Sequence, residues 1–160
     1  MKEMLSRAAA YCASAERCRQ DVMEKLLKWD CPEDDATEII DFLYRENYLS
    51  DERYCRAFAN DKLNFQGWGK KKIQAMLQLK HLPRNIISAT LQDIDEQHYR
   101  QRLSDILKAK KKTTPDMQKL IRFALSRGFD YEDIKSVLLD SHSFHTSSSI
   151  DAPMFGDGVE

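Results

Sequence analysis

Apolar residues recur three and four positions apart along most of the chain, which is the spacing of amphipathic helices. Proline, glycine and N-cap residue types interrupt this pattern at regular intervals, where helices would end and begin. No segment shows the strict alternation of apolar and polar residues that is typical of a half-buried strand. The pattern predicts an all-α protein with helices at about residues 3–16, 19–29, 33–46, 51–65, 70–80, 83–92, 95–110, 115–127 and 131–140.

Specific residues mark where several of these helices should begin. Pro32, Pro83 and Pro115 are expected in first turns, where a backbone N–H is not needed. Ser50 and Asp130 precede the fourth and ninth helices. We expect the side chains of these two residues to accept hydrogen bonds from first-turn N–H groups.

The predicted helices fall into three sets of three that share one apolar pattern. When the second and third helices of each set are overlaid, five positions are apolar in all three sets. The residue before the third of these positions is Asp30, His81 or Gly128, and we expect it to adopt the left-handed conformation that ends a helix. The fifteen aligned residues are Val22, Leu26, Cys31, Ala36, Ile40, Ile73, Leu77, Leu82, Ile87, Leu91, Leu120, Ala124, Phe129, Ile134 and Leu138.

An internal period near 50 residues indicates structural units that stack to share a core. We therefore expect an elongated tandem array of three three-helix repeats, formed by residues 1–50, 51–92 and 93–140. An ordinary irregular helical bundle is the alternative interpretation. Residues 141–160 are rich in serine, with three acidic and no basic residues, and they are expected to be disordered.

Positive and negative charges are separated along the chain although the net charge is only -1. Residues 1–51 contain seven basic and twelve acidic residues, whereas residues 52–92 contain eight basic and only two acidic ones. Residues 93–140 are nearly balanced, with ten basic and nine acidic residues. An acidic first repeat and a basic second repeat favour an oriented encounter with a polyelectrolyte or a charged protein surface.

The densest basic cluster opens the fifth predicted helix, at residues 67–72. Cations are unfavourable at a helix N-terminus, so a bound anion would offset the cost of the three lysines there. Free backbone N–H groups and an exposed Trp68 indole would suit phosphate, carboxylate or a stacked base. Solvated lysines and a Trp68 packed between repeats are the alternative. The candidate partner-binding residues are Trp68, Lys70, Lys71, Lys72, Lys80 and Arg84, followed by Arg100, Arg102, Lys108, Lys110, Lys111 and Lys112.

No catalytic, cofactor or metal site is predicted, because the sequence has no Walker A loop, dinucleotide fingerprint, GxSxG or HExxH motif. The four cysteines lie in apolar or helical surroundings without CxxC spacing, which favours free thiols in a reducing cytoplasm. The N-terminal segment is a poor match to a signal peptide. No apolar stretch is long enough to span a membrane. We expect a monomer that is not an enzyme.

Three segments together resemble the RecX regulatory family. These are residues 48–58 (YLSDERYCRAF), residues 69–82 with Gly-Lys-Lys-Lys-Ile at their start, and residues 123–129 (FALSRGF). The segments occur in the order expected for the family, and the resemblance covers about residues 8–140. Asp30 and His81 stand where the family usually has glycine, Cys55 where it has alanine, and Cys18 where it has serine.

The resemblance implies a bacterial cytoplasmic regulator of recombination built from tandem three-helix units. Members of this family bind the RecA protein and its nucleoprotein filament and typically inhibit strand exchange and ATP turnover. The resemblance therefore implies RecA and the RecA–DNA filament as partners, with direct contact to DNA left open. Two alternatives come from the residues themselves. One is a helical module that binds nucleic acid directly, and the other is a helical-repeat scaffold for an unrelated partner.

Overall fold

The computed structural model describes residues 1–140, and within that range it contains nine α-helices, one π-helical turn and no strand. The all-α prediction is confirmed. The predicted disorder of residues 141–160 lies outside the described residues. The elements are α1 (Lys2–Ser14), α2 (Arg19–Lys28), α3 (Glu33–Arg45), α4 (Asp51–Asp61), the π-turn (Lys62–Gln66), α5 (Lys70–Leu79), α6 (Arg84–Gln92), α7 (Glu96–Lys111), α8 (Met117–Ser126) and α9 (Tyr131–Leu139).

The residues that begin the helices agree with the predictions in part. The Ser50 hydroxyl accepts a hydrogen bond from the Arg53 N–H at 3.2 Å, so the predicted cap of α4 is confirmed. The predicted cap at Asp130 is wrong, because its side chain accepts no bond from the first turn of α9. The Asp130 carboxylate lies instead 3.0 Å from the Lys71 ammonium. The prolines predicted in first turns all lie before them, since Pro32 and Pro83 are the N-cap residues of α3 and α6 and Pro115 precedes Asp116, the N-cap of α8.

All fifteen residues of the predicted repeat pattern are buried. The most exposed of them is Leu91, at 8%. A helical period of 3.6 residues places such positions on one face of each helix, where they can be withdrawn from water together. The predicted hydrophobic pattern is therefore confirmed for each of the three sets.

The same turn follows the second helix of each set. Asp30, His81 and Gly128 all adopt positive φ, at 64°, 66° and 101°, as predicted. In each case the next residue's N–H bonds back to a carbonyl five residues earlier, which is the bond that defines a Schellman motif. These three bonds run from Cys31 N to Leu26 O (3.0 Å), from Leu82 N to Leu77 O (3.2 Å) and from Phe129 N to Ala124 O (3.2 Å).

Contacts between residues divide the chain into two compact units. Unit 1 consists of Met1–Asn60 and Gln74–Asp93, and unit 2 consists of Asp61–Ile73 with the chain from Ile94 onward. Unit 1 contains eleven basic and fourteen acidic residues, while the described part of unit 2 contains fourteen basic and nine acidic ones. Positive charge is thus concentrated in unit 2. The division into three repeats at residues 50 and 92 stays a prediction.

Buried thiols predict a loss of stability at alkaline pH. Burial raises the pKa of Cys55, which is fully buried in unit 1, to about 11. A thiol in the unfolded chain ionises near pH 9, so ionisation stabilises the unfolded state from that pH upward. The same ionisation stabilises the folded state only near pH 11. The stabilisation is complete below pH 9 and should decrease by roughly 2 kcal/mol as the pH rises to 11.

The variant Cys55→Ala isolates this contribution. Chemical unfolding of both proteins at pH 7, 9, 10 and 11 should give a difference in stability that is constant up to pH 9. Above pH 9 the wild-type protein should lose more stability than the variant. Parallel pH profiles for the two proteins would contradict the assignment.

Candidate functional site

The predicted lysine cluster forms the first turn of α5 and lies in unit 2. This turn is held against the turn between α8 and α9 by a close approach of two glycines. A Cβ atom on Gly69 would lie 2.5 Å from the carbonyl carbon and oxygen of Gly128, and one on Gly128 would lie 2.5 Å from the Lys72 backbone nitrogen. Because neither glycine has a side chain, the two backbones can approach closely. This contact fixes the position of the first turn of α5, which carries the lysines.

Three N–H groups at the start of α5 are already bonded within unit 2. Gly69 N–H donates to the Arg127 carbonyl at 2.7 Å, and Lys71 N–H donates to the Gly128 carbonyl at 3.0 Å. Lys70 N–H donates to the buried Tyr99 hydroxyl at 2.8 Å. The expectation that free amides here would hold an anion is wrong, because neighbouring protein oxygens satisfy these donors.

The lysine ammonium groups make only weak contacts with acidic residues of unit 2. Lys71 Nζ lies 3.0 Å from Asp130 Oδ1, with the two side chains 72% and 53% exposed. Lys70 Nζ lies 4.0 Å from Glu96 Oε1 and 4.7 Å from the centre of the Tyr99 ring. Exposed ion pairs of this kind contribute only about 0 to 1 kcal/mol. A partner anion can therefore replace these carboxylates at little cost.

Trp68 lies between two lysines in unit 2. The ammonium groups of Lys62 and Lys72 are 4.8 and 4.7 Å from the centre of the indole ring. The ring is half-buried rather than exposed as predicted. Its face stabilises the two nearby ammonium groups through cation–π contacts. The ring thus brings positive charge from the π-turn and from α5 to one place.

Lys80 and Arg84 belong to unit 1, whereas the lysine cluster belongs to unit 2. Lys80 Nζ donates to Asp21 Oδ1 at 3.1 Å, and both side chains are largely buried. Burial lowers the pKa of Lys80, but the bond to Asp21 and the nearby Tyr54 outweigh it and raise the pKa to about 12. Lys80 is thus held by its own unit. Arg84 is exposed at the first position of α6.

The second tier of predicted residues lies on α7 in unit 2. Arg100 donates to the Ser136 hydroxyl at 2.8 Å, and Arg102 donates to the Leu63 carbonyl at 3.1 Å. Lys110 Nζ lies 4.7 Å from the centre of the Phe123 ring. Lys108 and Lys112 are exposed, and Lys111 is partly buried. Arg102 and Lys110 both line one groove in unit 2, whereas Arg100 lies on another side of α7.

Three residues around the cluster were missed by the sequence analysis. Lys62 was placed in the interior of a long α-helix, but it begins the π-turn, and its ammonium group lies 4.8 Å from the centre of the Trp68 ring. Arg127 donates to the Gln66 carbonyl at 3.0 Å, a contact between residues 61 positions apart. Tyr99 accepts the bond from Lys70. Only Arg127 had a signal in the sequence, because it lies in the segment 123–129 that resembles the RecX family.

Among residues 1–140, no helix has both the length and the apolar character needed to cross a membrane. Two family models match the chain. The model described as "RecX, first three-helix domain" matches residues 5–43, and the model described as "RecX, second three-helix domain" matches residues 50–91. Together they cover half of the chain, and the second contains Trp68 and the lysine cluster.

Curated relatives and solved structures agree with these models. The regulatory protein RecX of Clostridium botulinum (strain Eklund 17B / Type B) is 32% identical over 136 residues, which are 80% of this chain and 63% of the relative. The protein of the same name from Actinobacillus pleuropneumoniae serotype 5b (strain L20) is 30% identical over 128 residues, with 76% of this chain and 80% of the relative covered. This chain thus spans 63% of the length of the clostridial relative.

The fold is shared with two crystal structures. RecX from Lactobacillus salivarius superimposes with a TM-score of 0.74 at 22% identity, over 86% of this chain and 93% of that one. A structure described as regulatory protein RecX gives a TM-score of 0.76 at 18% identity, over 86% and 72% of the two chains. The two domain models and the relatives at 30% identity and above establish that the chain belongs to the RecX family of regulatory proteins.

Proposed function

We propose that this chain binds the RecA recombinase and its nucleoprotein filament and inhibits their ATPase and strand-exchange activities. The observation that supports this proposal most directly is the match to both RecX three-helix domain models. Regulation through binding also agrees with the charge of unit 2, whose described part contains fourteen basic and nine acidic residues. The partners proposed are RecA itself and the filament that it forms on DNA.

The contact surface proposed on unit 2 is the first turn of α5 with its neighbours. Lys71 is mostly exposed, and its pairing with Asp130 is that of a surface ion pair. Lys72 and Lys62 add positive charge around Trp68. This surface is complementary to acidic patches on a protein filament and to phosphates of a bound strand, so it would speed and orient the encounter. Arg84 is a further candidate on unit 1, while Lys80 is held by Asp21.

Charge reversal of the cluster tests this proposal. Wild-type protein titrated into RecA on single-stranded DNA should reduce both ATP hydrolysis and strand exchange. The triple variant Lys70→Glu, Lys71→Glu, Lys72→Glu should need about tenfold more protein for the same inhibition, because it replaces attraction by repulsion at the contact surface. ATPase rates and strand-exchange yields across the titration provide the measurement.

A matched control separates a local effect from a change in net charge. Lys2, Lys28 and Lys135 are exposed and lie outside the cluster, so replacing all three by glutamate changes the charge equally. This control should inhibit like the wild-type protein. Unchanged ATPase and strand exchange with saturating wild-type protein would refute the function, whereas equal loss in both triple variants would refute only the contact surface.

Direct binding to nucleic acid is a second candidate, favoured by the two lysines that flank Trp68. A strand bound by phosphate contacts would give an affinity that falls with salt, with a log–log slope of about 0.7 to 0.9 per contact. Affinity measured without RecA at several salt concentrations separates this function from the first. Affinity and salt slope that do not change in the lysine triple variant would exclude the cluster as a nucleic-acid site.

A further inference from the structure

A cavity of about 540 Å³ lies within unit 1, lined by the start of α2, the end of α3 and the turn between α5 and α6. Its volume is within the range of about 300 to 1,000 Å³ that is usual for ligand sites. The lining is mostly apolar and includes Met23, Leu82, Pro83 and the ring of Tyr44. Such walls suit the aliphatic part of a long side chain.

Two acidic side chains line this cavity, Glu24 of α2 and Asp51 at the start of α4. Asp51 Oδ1 accepts the hydroxyl of Tyr44 at 2.8 Å, and Glu24 Oε2 accepts from the amide nitrogen of Gln20 at 3.3 Å. Within residues 1–140, no basic group lies within ion-pair distance of either carboxylate. Their negative charges are therefore not neutralised by a neighbouring cation.

The basic side chains that line the same cavity are Arg19, Lys80 and the exposed His81. Lys80 Nζ lies 3.1 Å from Asp21, and Arg19 lies 3.7 Å from Asp41. Asp21 and Asp41 are not part of the lining. Each of these two cations thus has a carboxylate of its own, so Glu24 and Asp51 give the site an excess of negative charge.

The side-chain oxygen of Gln20 is a third acceptor at this cavity. Gln20 Oε1 is shielded from water, and no donor in the described part of the chain reaches it. A buried acceptor without a donor is destabilising. The last torsion of a glutamine side chain has a broad range, so a small rotation of the amide could present Oε1 to a donor in the cavity.

We propose that this cavity binds an arginine side chain from a basic peptide segment of a partner protein. The aliphatic stem lies against Met23 and Leu82, and the guanidinium group faces Glu24 and Asp51. A guanidinium group suits the site because it has five N–H donors for several acceptors and stacks on aromatic rings such as that of Tyr44. This site is in unit 1, and it is independent of the lysine cluster and of whether RecA is the partner.

Titration with a blocked arginine tests the proposal. Amide ¹⁵N–¹H spectra of the full chain are recorded with increasing N-acetyl-arginine amide, without RecA or DNA. Shifts should be confined to the amides that surround the cavity, at residues 18–24, 44, 51 and 80–82. N-acetyl-citrulline amide has nearly the same shape but no charge, so it should bind about tenfold more weakly. No shifts, shifts elsewhere in the chain, or equal binding of the two compounds would overturn the proposal.

Free L-arginine distinguishes a peptide site from a site for the amino acid itself. Free arginine carries an α-carboxylate, which the excess negative charge of the cavity should repel. It should therefore bind several-fold more weakly than the blocked arginine. Equal or tighter binding of free arginine would overturn the assignment to a peptide segment.

Charge-neutralising variants identify the groups that bind the guanidinium. Glu24→Gln should weaken binding of the blocked arginine several-fold, whereas Glu38→Gln makes the same change at an exposed position of α3 outside the lining and should have no effect.

Arg19→Gln gives a test of opposite sign. The guanidinium of Arg19 lies 5.4 Å from the centre of the Tyr44 ring, so its removal should tighten binding of the blocked arginine. Equal affinities of the Glu24 and Glu38 variants, or weaker binding by the Arg19 variant, would refute the site. Because neither RecA nor DNA is present, failure of these experiments leaves the proposed regulatory function untouched.

Discussion

Replacement of Gly69 by alanine should lower the free energy of unfolding by at least about 3 kcal/mol, the upper end of the usual cost of overpacking. The added Cβ would lie 2.5 Å from the carbonyl carbon and oxygen of Gly128 and 2.6 Å from the Phe129 nitrogen. All three are backbone atoms, so no side-chain rotation can relieve the clash. The two backbones must separate, which weakens the bonds from Gly69 N–H to Arg127 and from Lys71 N–H to Gly128.

Gly67→Ala is the matched control for this prediction. Gly67 has a φ of +69°, and its new Cβ would meet side chains rather than backbone, with Ile106 at 3.2 Å and Arg102 at 3.9 Å. Its cost should be limited to the strain of a left-handed alanine, about 1 to 2 kcal/mol. Urea unfolding of the two variants and the wild-type protein provides the measurement. If Gly69→Ala proves no more destabilising than Gly67→Ala, the close approach of the two backbones is not the feature that holds α5 in place.

The close approach also explains why the first turn of α5 tolerates three lysines. Cations at a helix N-terminus are opposed by the positive end of the dipole. Here the Gly128 carbonyl accepts from Lys71 N–H, and the Tyr99 oxygen accepts from Lys70 N–H. Protein oxygens therefore take the place that the sequence analysis assigned to a bound anion. The lysine side chains, rather than the backbone, remain available to a partner.

Features set by local pattern could be predicted from the sequence. The repeat positions were recognisable because a helix returns the same face to the core every three or four residues. The left-handed residues Asp30 and His81 were recognisable because each ends a helix directly before a buried apolar residue. The cap at Ser50 depends on one residue and the N–H three positions later. In each case the determining residues are neighbours in the chain.

Features set by contacts distant in sequence could not be predicted. Asp130 is a good N-cap residue by type, but Lys71 competes for its carboxylate from 59 positions away. Lys62 and Phe65 lie in the π-turn, where Phe65 is 80% exposed, although the local spacing continues that of α4. Arg102 and Arg127 donate to the carbonyls of Leu63 and Gln66 in that turn, from 39 and 61 positions away. Such pairings follow from tertiary packing, which the hydrophobic period does not encode.

Leu77→Ala should destabilise the protein by about 2 to 5 kcal/mol, the range for a buried leucine that leaves a cavity. Leu77 is fully buried in unit 1 and occupies the second of the five repeat positions. It also provides the carbonyl that closes the Schellman turn at His81, so loss of its packing should loosen that turn as well.

Leu79→Ala, two positions later on the same helix, provides the control for this effect. Leu79 is 68% exposed, so its truncation should change the stability by less than about 0.5 kcal/mol. Both substitutions replace leucine by the best helix former, so differences in helix propensity cancel. A loss below about 1 kcal/mol for Leu77→Ala would mean that this position does not belong to the repeat core, because cavity formation alone exceeds that value.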